Sequence, residues 1–331
     1  MKAIVVHELG GPQVLSYEAC DDPVPQPDEA LVRLEAAGVN FLDIYYREGF
    51  HWGGHHRRSL PYTPGAEGAG RVVAAGNAVT EIEIGDRVAF GVSNGYGAYA
   101  ELIAIKSRHL VKLPGAMSAQ IAAAVMQQGM TAHYLTSSTY PLKPTDVAMV
   151  HAAAGGTGLL LVQMAKLRGA RVIGIVSGAG KAEVVRAVGA DHVLVSQKQD
   201  FEVEARRLTG GRGVNVVYDS VGKATFDKSL NCLAPLGTMV LYGQSSGAVP
   251  PFDTAVLNAK GSLFLARPSL THYVADRKDL EWRTSDIFRW IIDKNLDVRI
   301  DQAMPLQEAP KAHERLASRQ SIGKILLLPW P

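Results

Sequence analysis

The hydrophobic rhythm of the chain changes twice. Up to about residue 125, short apolar runs at 3–6, 30–34, 70–74, 87–90 and 98–105 alternate with Gly/Pro punctuation, including Pro23, Pro25 and Pro27. Runs of that length and spacing predict the strands of a barrel-like β domain. From Asp146 onward each apolar run is followed by a helical stretch. Strands are predicted at 147–150, 171–176, 193–195, 214–218, 238–242 and 262–266. Helices are predicted at 159–167, 181–188, 201–208 and 226–233. This βα alternation predicts a parallel, doubly wound sheet, and near-continuous apolar strands such as 172–176 predict burial on both faces. Beyond Arg267 and Pro268 the rhythm shifts again. A helix is predicted at 285–292, with Ile287, Phe288, Ile291 and Ile292 on one face, a second at 309–316, and a strand at 324–328. The tail is expected to pack back on the first domain. The fold class is therefore α/β, with a doubly wound parallel sheet inserted into a β-rich domain; the boundaries are 1–128 with 269–331, and 129–268.

Composition narrows the function classes. The chain has 331 residues, 47% hydrophobic and 20% charged, enough to bury a core without disulfides or structural metal. A net charge of +2 gives no support to nucleic-acid binding. The densest basic cluster, His55, His56, Arg57 and Arg58, reads as a solvated loop, and a metal trio of His51, His55 and His56 is disfavoured by the intervening Gly and Trp. Two distant cysteines, Cys20 and Cys232, fit a reducing compartment and exclude a four-Cys zinc lobe. The apolar window 147–165 is broken by His151, Gly155, Gly156 and Gly158, so it reads as strand–turn–helix and not as a membrane span. The N-terminal apolar run is too short for a signal sequence, and a cytoplasmic protein is expected.

The segment HAAAGGTG at 151–158 carries the first chemistry. A pyrophosphate needs backbone N–H groups aimed at it, which a helix N-terminus supplies together with a favourable dipole. Gly155, Gly156, Thr157 and Gly158 lie between a predicted strand and a predicted helix, with Ala153 where the first glycine of G-x-G-x-x-G would stand. At the end of the second strand, an acidic residue would hold the ribose 2′-hydroxyl of NAD. Val176 and Ser177 occupy that place and Lys181 follows, which favours NADPH, although Lys181 also reads as an ordinary helix-start lysine.

The chain resembles the zinc-independent quinone oxidoreductases of the medium-chain dehydrogenase/reductase superfamily, the zeta-crystallin-like branch, over essentially its whole length. The resemblance is carried by AGVNFLD at 37–43, PGAEGAG at 64–70, IGDRV at 84–88, 151–158, VYDSVG at 217–222, YGQSSG at 242–247 and RPSL at 267–270. It implies a GroES-like β domain, an NADPH-dependent two-electron reduction of quinones in a cleft between domains, and a homodimer built partly through the strand at 262–266. It also implies that no zinc is bound. Zinc-dependent relatives carry Cys, His and Cys where this chain has Asn40, Ala66 and Gln127, none of them a thiolate or imidazole. Without a Lewis acid the acceptor must already be activated by conjugation.

By the same resemblance Asn40, Asp43 and Tyr45 are the catalytic candidates. The Asn40 amide is expected to donate to the quinone oxygen, Tyr45 to wall the pocket or donate a hydrogen bond, and Asp43 to orient its neighbours. Read alone, Asn40 is equally a turn residue and Tyr45 equally core. Thr131, in GMT at 129–131, is expected to touch the cofactor, and Gly243, Gln244 and Ser245 follow a strand where the ribose-nicotinamide would lie. Arg267 and Lys324 are further cofactor candidates, with an exposed salt bridge as the alternative for each. Ser196 stands where some relatives carry a Tyr facing the adenosine phosphate. The His51 to Arg58 loop is expected to reshape the substrate mouth. Two other functions stay open: an NADPH-dependent enone or enoyl double-bond reductase, and a non-catalytic NADPH- or RNA-binding protein.

Overall fold

One part of the chain includes strands of alternating burial, such as Leu15–Ala19 and Leu102–Lys106, and the other is built around strands buried almost throughout, such as Val147–Val150 and Arg171–Val176. The computed structural model describes residues 1–49, 59–91 and 97–330, so the expectations for His51, His55, His56, Arg57 and Arg58 fall outside the described residues. The chain divides into two units: Met1–Gln127 with Asp276–Ile292 and Val298–Pro331, and Gln128–Ala275 with Asp293–Asp297.

In the first unit β1 (Lys2–Val6) pairs antiparallel with β2 (Leu15–Ala19). The long β3 (Glu29–Val39) buries Ala30, Val32 and Leu34 on one face, as a period of two requires. It leads directly into α1 (Phe41–Arg47), and then follow β4 (Glu67–Ala75), β5 (Arg87–Gly91), β6 (Leu102–Lys106) and β7 (Val111–Lys112). The boundary between units falls within α2 (Ala119–Tyr134).

The second unit alternates β8 (Val147–Val150), α3 (Gly156–Leu167), β9 (Arg171–Val176), α4 (Ala179–Ala187), β10 (His192–Val195), α5 (Phe201–Leu208), β11 (Val214–Asp219), α6 (Phe226–Cys232) and β12 (Leu233–Leu241). Short α7 (Ala255–Ala259), β13 (Phe264–Ala266) and α8 (Leu270–Tyr273) complete it. Its six strands are all parallel, in the order β10-β9-β8-β11-β12-β13. The order reverses at β8, which places ligand-binding turns at the carboxyl ends of β8 and its neighbours.

The tail comprises α9 (Arg277–Ile292), β14 (Ile300–Pro305), α10 (Ala309–Ala317) and β15 (Lys324–Leu328). β15 pairs antiparallel with β3, so the tail completes the first unit's sheet, β14-β15-β3-β4-β5-β7, with β6 on β3. The division between units departs from the expected boundary: residues 269–275 and Asp293–Asp297 group with the second unit. The latter segment is held there by Gln163, whose Nε2 donates to Asp297 O at 3.0 Å and whose Oε1 accepts Asp297 N at 2.7 Å.

Local departures have physical reasons. The run at 98–105 is a strand only from Leu102; Ala100 makes an isolated bridge to Ala3. α9 begins at Arg277, eight residues before the expected start at 285, and turns Ile292 outward at 45% exposure. α2 has no polar stripe in its first half, where Ala122 to Met126 are all buried, so periodicity gave no sign of it. Among the described residues no helix is long and apolar enough to cross a membrane.

Candidate functional site

In the second unit the turn between β8 and α3 is folded by Ala152, which takes φ +50° and so makes the reversal that the missing first glycine would have made. Ala153 is fully buried and donates its N–H to Ile175 O at 3.0 Å. The glycines divide the work. A Cβ on Gly158 would lie 2.4 Å from Ala152 O and 2.8 Å from Ala153 Cα, so this glycine permits close packing of helix on strand. A Cβ on Gly155 would meet only Ala152 O at 3.3 Å, leaving that side open to a ligand. Gly155 is the N-cap of α3 and supplies no side-chain cap, so the first N–H groups of the helix, from Gly156, Thr157 and Gly158, have no intrahelical acceptor. This arrangement fits a pyrophosphate. Gln128 of α2 lies against Gly156, and its Oε1 is buried without a hydrogen-bond partner among the described residues. Sequence reasoning missed it, although it stands three residues before Thr131, on the same helix.

Ser177, Lys181 and Ser196 gather at the carboxyl ends of β9 and β10. The backbone N–H of Ser196 donates to Val176 O at 2.9 Å and its hydroxyl to the same oxygen at 3.2 Å, beside Ser177. Lys181 lies in the first turn of α4, where no acidic residue stands. Gly243, Gln244 and Ser245 follow β12, and Arg267 reaches back to them: Nη1 donates to Leu241 O at 2.9 Å and Nη2 to Gln244 Oε1 at 3.4 Å. The structure thus brings two groups of cofactor candidates to one edge of this sheet.

The first unit holds a buried polar cluster where β3, α1, β4 and β15 meet. Glu67 and Lys324, 0% and 1% exposed, form an ion pair. Lys324 Nζ also donates to Asn40 Oδ1 at 2.9 Å, and Asn40 Nδ2 donates to Glu67 Oε1 at 2.7 Å. The other oxygen of Glu67 accepts the backbone N–H of Gln127 at 2.6 Å. The lysine is therefore an interior cation, not the exposed salt-bridge partner set as its alternative. Asn40 has its amide engaged on both sides, its second N–H making only a long 3.4 Å contact with Gly38 O. Glu67, absent from the sequence candidates, is the centre of this cluster; the signal was an acidic residue inside a run of small residues.

Asp43 closes a capping box at the start of α1, its Oδ2 accepting Asn40 N at 2.9 Å. Oδ2 also accepts the Tyr99 hydroxyl at 3.0 Å, while Oδ1 is buried without a partner among the described residues. Tyr99 in turn faces His313 Nε2 at 3.1 Å, and Arg47 Nη1 faces His313 Nδ1 at 3.1 Å. Arginine can only donate, so Nδ1 accepts, Nε2 carries the proton, and every donor in the chain points toward Asp43. Burial raises the Asp43 carboxyl to about 7, against the pull of its bonds from Asn40 and Tyr99. Burial, with Arg47 beside it, lowers His313 to about 3. Tyr45 lies one turn along α1 from Phe41, their ring centroids 6.1 Å apart.

Comparison with known proteins places this geometry. Residues 26–115 match a family described as "Alcohol dehydrogenase GroES-like domain" and residues 156–276 one described as "Zinc-binding dehydrogenase". The quinone oxidoreductase of Pseudomonas aeruginosa is 40% identical over 328 residues, covering 99% of this chain and 99% of the relative. The 2-haloacrylate reductase of Burkholderia sp is 38% identical over 333 residues, covering 99% and 98%. The crystal structure of Escherichia coli quinone oxidoreductase complexed with NADPH superposes with a TM-score of 0.96 at 40% identity, over 99% of this chain and 100% of that one.

Glu67→Gln and Lys324→Met should each lower stability by about 3–5 kcal/mol, since either strands a buried charge. The double variant should lose less than the sum, as read by chemical denaturation; strictly additive losses would show the two groups to be uncoupled. Asp43 and His313 set opposing pH dependences. The raised Asp43 stabilises the fold below pH about 4 and loses that contribution as pH rises through 7. The lowered His313 contributes above pH about 6.5 and loses its contribution as pH falls through 3. Asp43→Asn removes the first and unmasks the second, so its unfolding midpoint should climb more steeply than wild type between pH about 4.5 and 6.5. Parallel profiles would refute the Asp43 assignment.

Proposed function

The chain belongs to the quinone oxidoreductases of the medium-chain dehydrogenase/reductase superfamily, and we propose that it moves a hydride from NADPH to a quinone without zinc. The protein is an oxidoreductase, and NADPH is its cofactor. The observation that carries the reading is the carboxyl edge of the parallel sheet, where an uncapped helix N-terminus at Gly155–Gly158 accompanies an adenosine side bearing Ser177, Lys181 and Ser196 and no acid.

When bound, NADPH supplies the hydride; the residues of this chain bind, orient and exclude water. In this proposal the N–H groups at Gly156, Thr157 and Gly158 hold the pyrophosphate, with Ala153 and Gly155 shaping the turn. Ser177, Lys181 and Ser196 take the 2′-phosphate. Thr131, Gly243, Gln244, Ser245 and Arg267 take the ribose-nicotinamide side. Asn40 offers the quinone oxygen the N–H that otherwise makes the long contact with Gly38 O, and Tyr45 lines the acceptor. Asp43 orients α1 from its first turn. Lys324 acts through Asn40, by holding its oxygen.

The donor set argues against a metal at Asn40, Ala66 and Gln127. It offers no thiolate or imidazole, and the Lys324 ammonium already sits on the Asn40 oxygen, where a second cation would be repelled. The match described as zinc-binding spans 156–276 and includes none of these three positions. A homodimer across β13 belongs to the same proposal: β13 ends the sheet with an open edge, and Phe264 and Leu236 are 58% and 67% exposed. The free thiols of Cys20 and Cys232 fit the reducing cytoplasm. A stoichiometric zinc, a monomeric mass in sedimentation, or an extracellular location would each overturn the part concerned.

A second reading, reduction of an activated alkene, is favoured by the likeness to a 2-haloacrylate reductase. Initial rates of NADPH and NADH oxidation against quinones and enones separate the two; faster turnover of enones than of benzoquinone would reverse the order. Lys181→Ala should weaken NADPH by about tenfold and leave NADH nearly unchanged, as loss of one charge-assisted phosphate contact implies. Equal losses would remove Lys181 from the 2′-phosphate site.

A further inference from the structure

The motifs at 217–222 and 242–247 carry a feature that hydride transfer leaves unexplained: a buried carboxylate that no lysine or arginine among the described residues pairs with. Asp219 ends β11 with 0% exposure. Its Oδ1 accepts the backbone N–H groups of Val221 at 2.7 Å and Gly222 at 3.0 Å. Its Oδ2 accepts the hydroxyls of Thr225 at 2.6 Å and Ser229 at 3.0 Å. The Ser229 oxygen also lies 2.9 Å from His151 Nε2. Since the Ser229 proton is committed to Asp219, the bond from His151 runs Nε2–H to Oγ. That imidazole is fully buried, burial lowers its pKa, and its Nε2 lies 4.0 Å from Asp219 Oδ2, beyond hydrogen-bond reach, with the Ser229 hydroxyl bonded to both. The carboxylate is therefore solvated by four neutral donors, an arrangement that fixes their positions.

These partners belong to the turns that flank the cofactor edge. His151 opens the turn 151–158. The turn 220–222 is bound along its length to the turn that follows β12. Tyr242 N donates to Asp219 O at 2.9 Å, Ser245 N to Ser220 O at 3.0 Å, and Ser246 N to Val221 O at 2.8 Å. The Ser246 hydroxyl donates to Val221 O at 2.7 Å and accepts Ala224 N at 2.9 Å. The turns also touch without room for a side chain: a Cβ on Gly222 would lie 2.8 Å from Gly247 O, and one on Gly243 would lie 2.7 Å from Ser220 O. A shift of 220–222 therefore moves 243–245.

We propose that Asp219 is a positioning residue for the cofactor: through Val221, Gly222, Thr225 and Ser229 it holds the 243–245 turn in register with the 151–158 turn. It touches no reacting atom and acts through the turns. Its four donors come from Val221, Gly222, Thr225 and Ser229, and none from Ser177, Lys181 or Ser196 on the adenosine side. The proposal rests on the assignment of 243–245 to the ribose-nicotinamide side.

The test separates the two halves of the cofactor site. The probes are NADPH with benzoquinone, for KM and kcat, and 2′,5′-ADP as a competitive inhibitor, which carries the adenosine and 2′-phosphate but no nicotinamide. In Asp219→Ala the KM for NADPH should rise and kcat fall, each by about tenfold, while the inhibition constant of 2′,5′-ADP changes less than about twofold. Asp219→Asn keeps an oxygen for Val221 and Gly222 and should recover most of the loss. An equal loss of affinity for both probes would mean general disruption of the unit and would overturn the proposal, as would unchanged NADPH kinetics in Asp219→Ala. If Asp219→Ala does not fold, Asp219→Asn with Ser229→Ala carries the test: it should reproduce the selective loss, and equal effects on both probes would overturn the proposal. Failure of 2′,5′-ADP to inhibit the wild-type protein would instead overturn the assignment of the adenosine side, a distinguishable result.

Discussion

Lys324 and Glu67 lie 257 positions apart in sequence and have almost no access to water, so each depends on the other for the solvation that water would supply. Their pairing needs β15 beside β3, with β4 on the other flank of β3. The charge pair thereby makes the position of the C-terminal strand a condition of the N-terminal fold. Asn40 completes the arrangement by bonding both partners, and its own position follows from the capping box with Asp43. The start of α1, where the acceptor-facing candidates stand, is thus set by a buried charge pair rather than by the propensity of a seven-residue helix, which would be marginal alone.

The second unit solves a related problem differently. Its central strands are buried on both faces, so polar function is displaced to the carboxyl edge, where the turns are irregular and need support. The turn 151–158 is supported by a positive φ at Ala152 and by helix-on-strand packing at Gly158. The turns after β11 and β12 are supported by one carboxylate surrounded by neutral donors. In both units a carboxylate without solvent access organises backbone around it. Glu67 is balanced by an ammonium and Asp219 by hydroxyl and amide groups alone.

Much of the α/β unit was legible because its signals are local. Burial on both faces makes an unbroken apolar run, from which the bounds of β8 and β9 could be read; those of the amphipathic α5 and, in the first unit, of β15 were legible as well. The helix α2 was not legible, because burial on most sides erases the amphipathic stripe, and β14 was not, because its side chains are mostly half-exposed. Among site residues, Gly155 to Gly158 and the missing acid at Val176 and Ser177 could be read, since phosphate binding depends on a contiguous turn. Glu67 stood out only as an acidic residue among small ones, and its role could not be read, because its partners Asn40, Gln127 and Lys324 come from three distant segments. Lys324 was singled out, but its interior setting was not foreseeable from its position in a strand.

The sequence by itself determined the alternation that builds the parallel sheet, the phosphate turn and the absence of thiolate or imidazole at Asn40, Ala66 and Gln127, because each of these depends on residue type and near-neighbour spacing. Which side chains meet in the interior was settled by the fold alone: that an ammonium rests on Asn40, that Asp43 accepts the Tyr99 hydroxyl, which in turn accepts the His313 N–H, and that Asp219 joins turns at the ends of β8, β11 and β12. Those contacts depend on strand register and on which chain segments become neighbours, and a buried charge acquires its partner only when folding has removed the water that would otherwise have served.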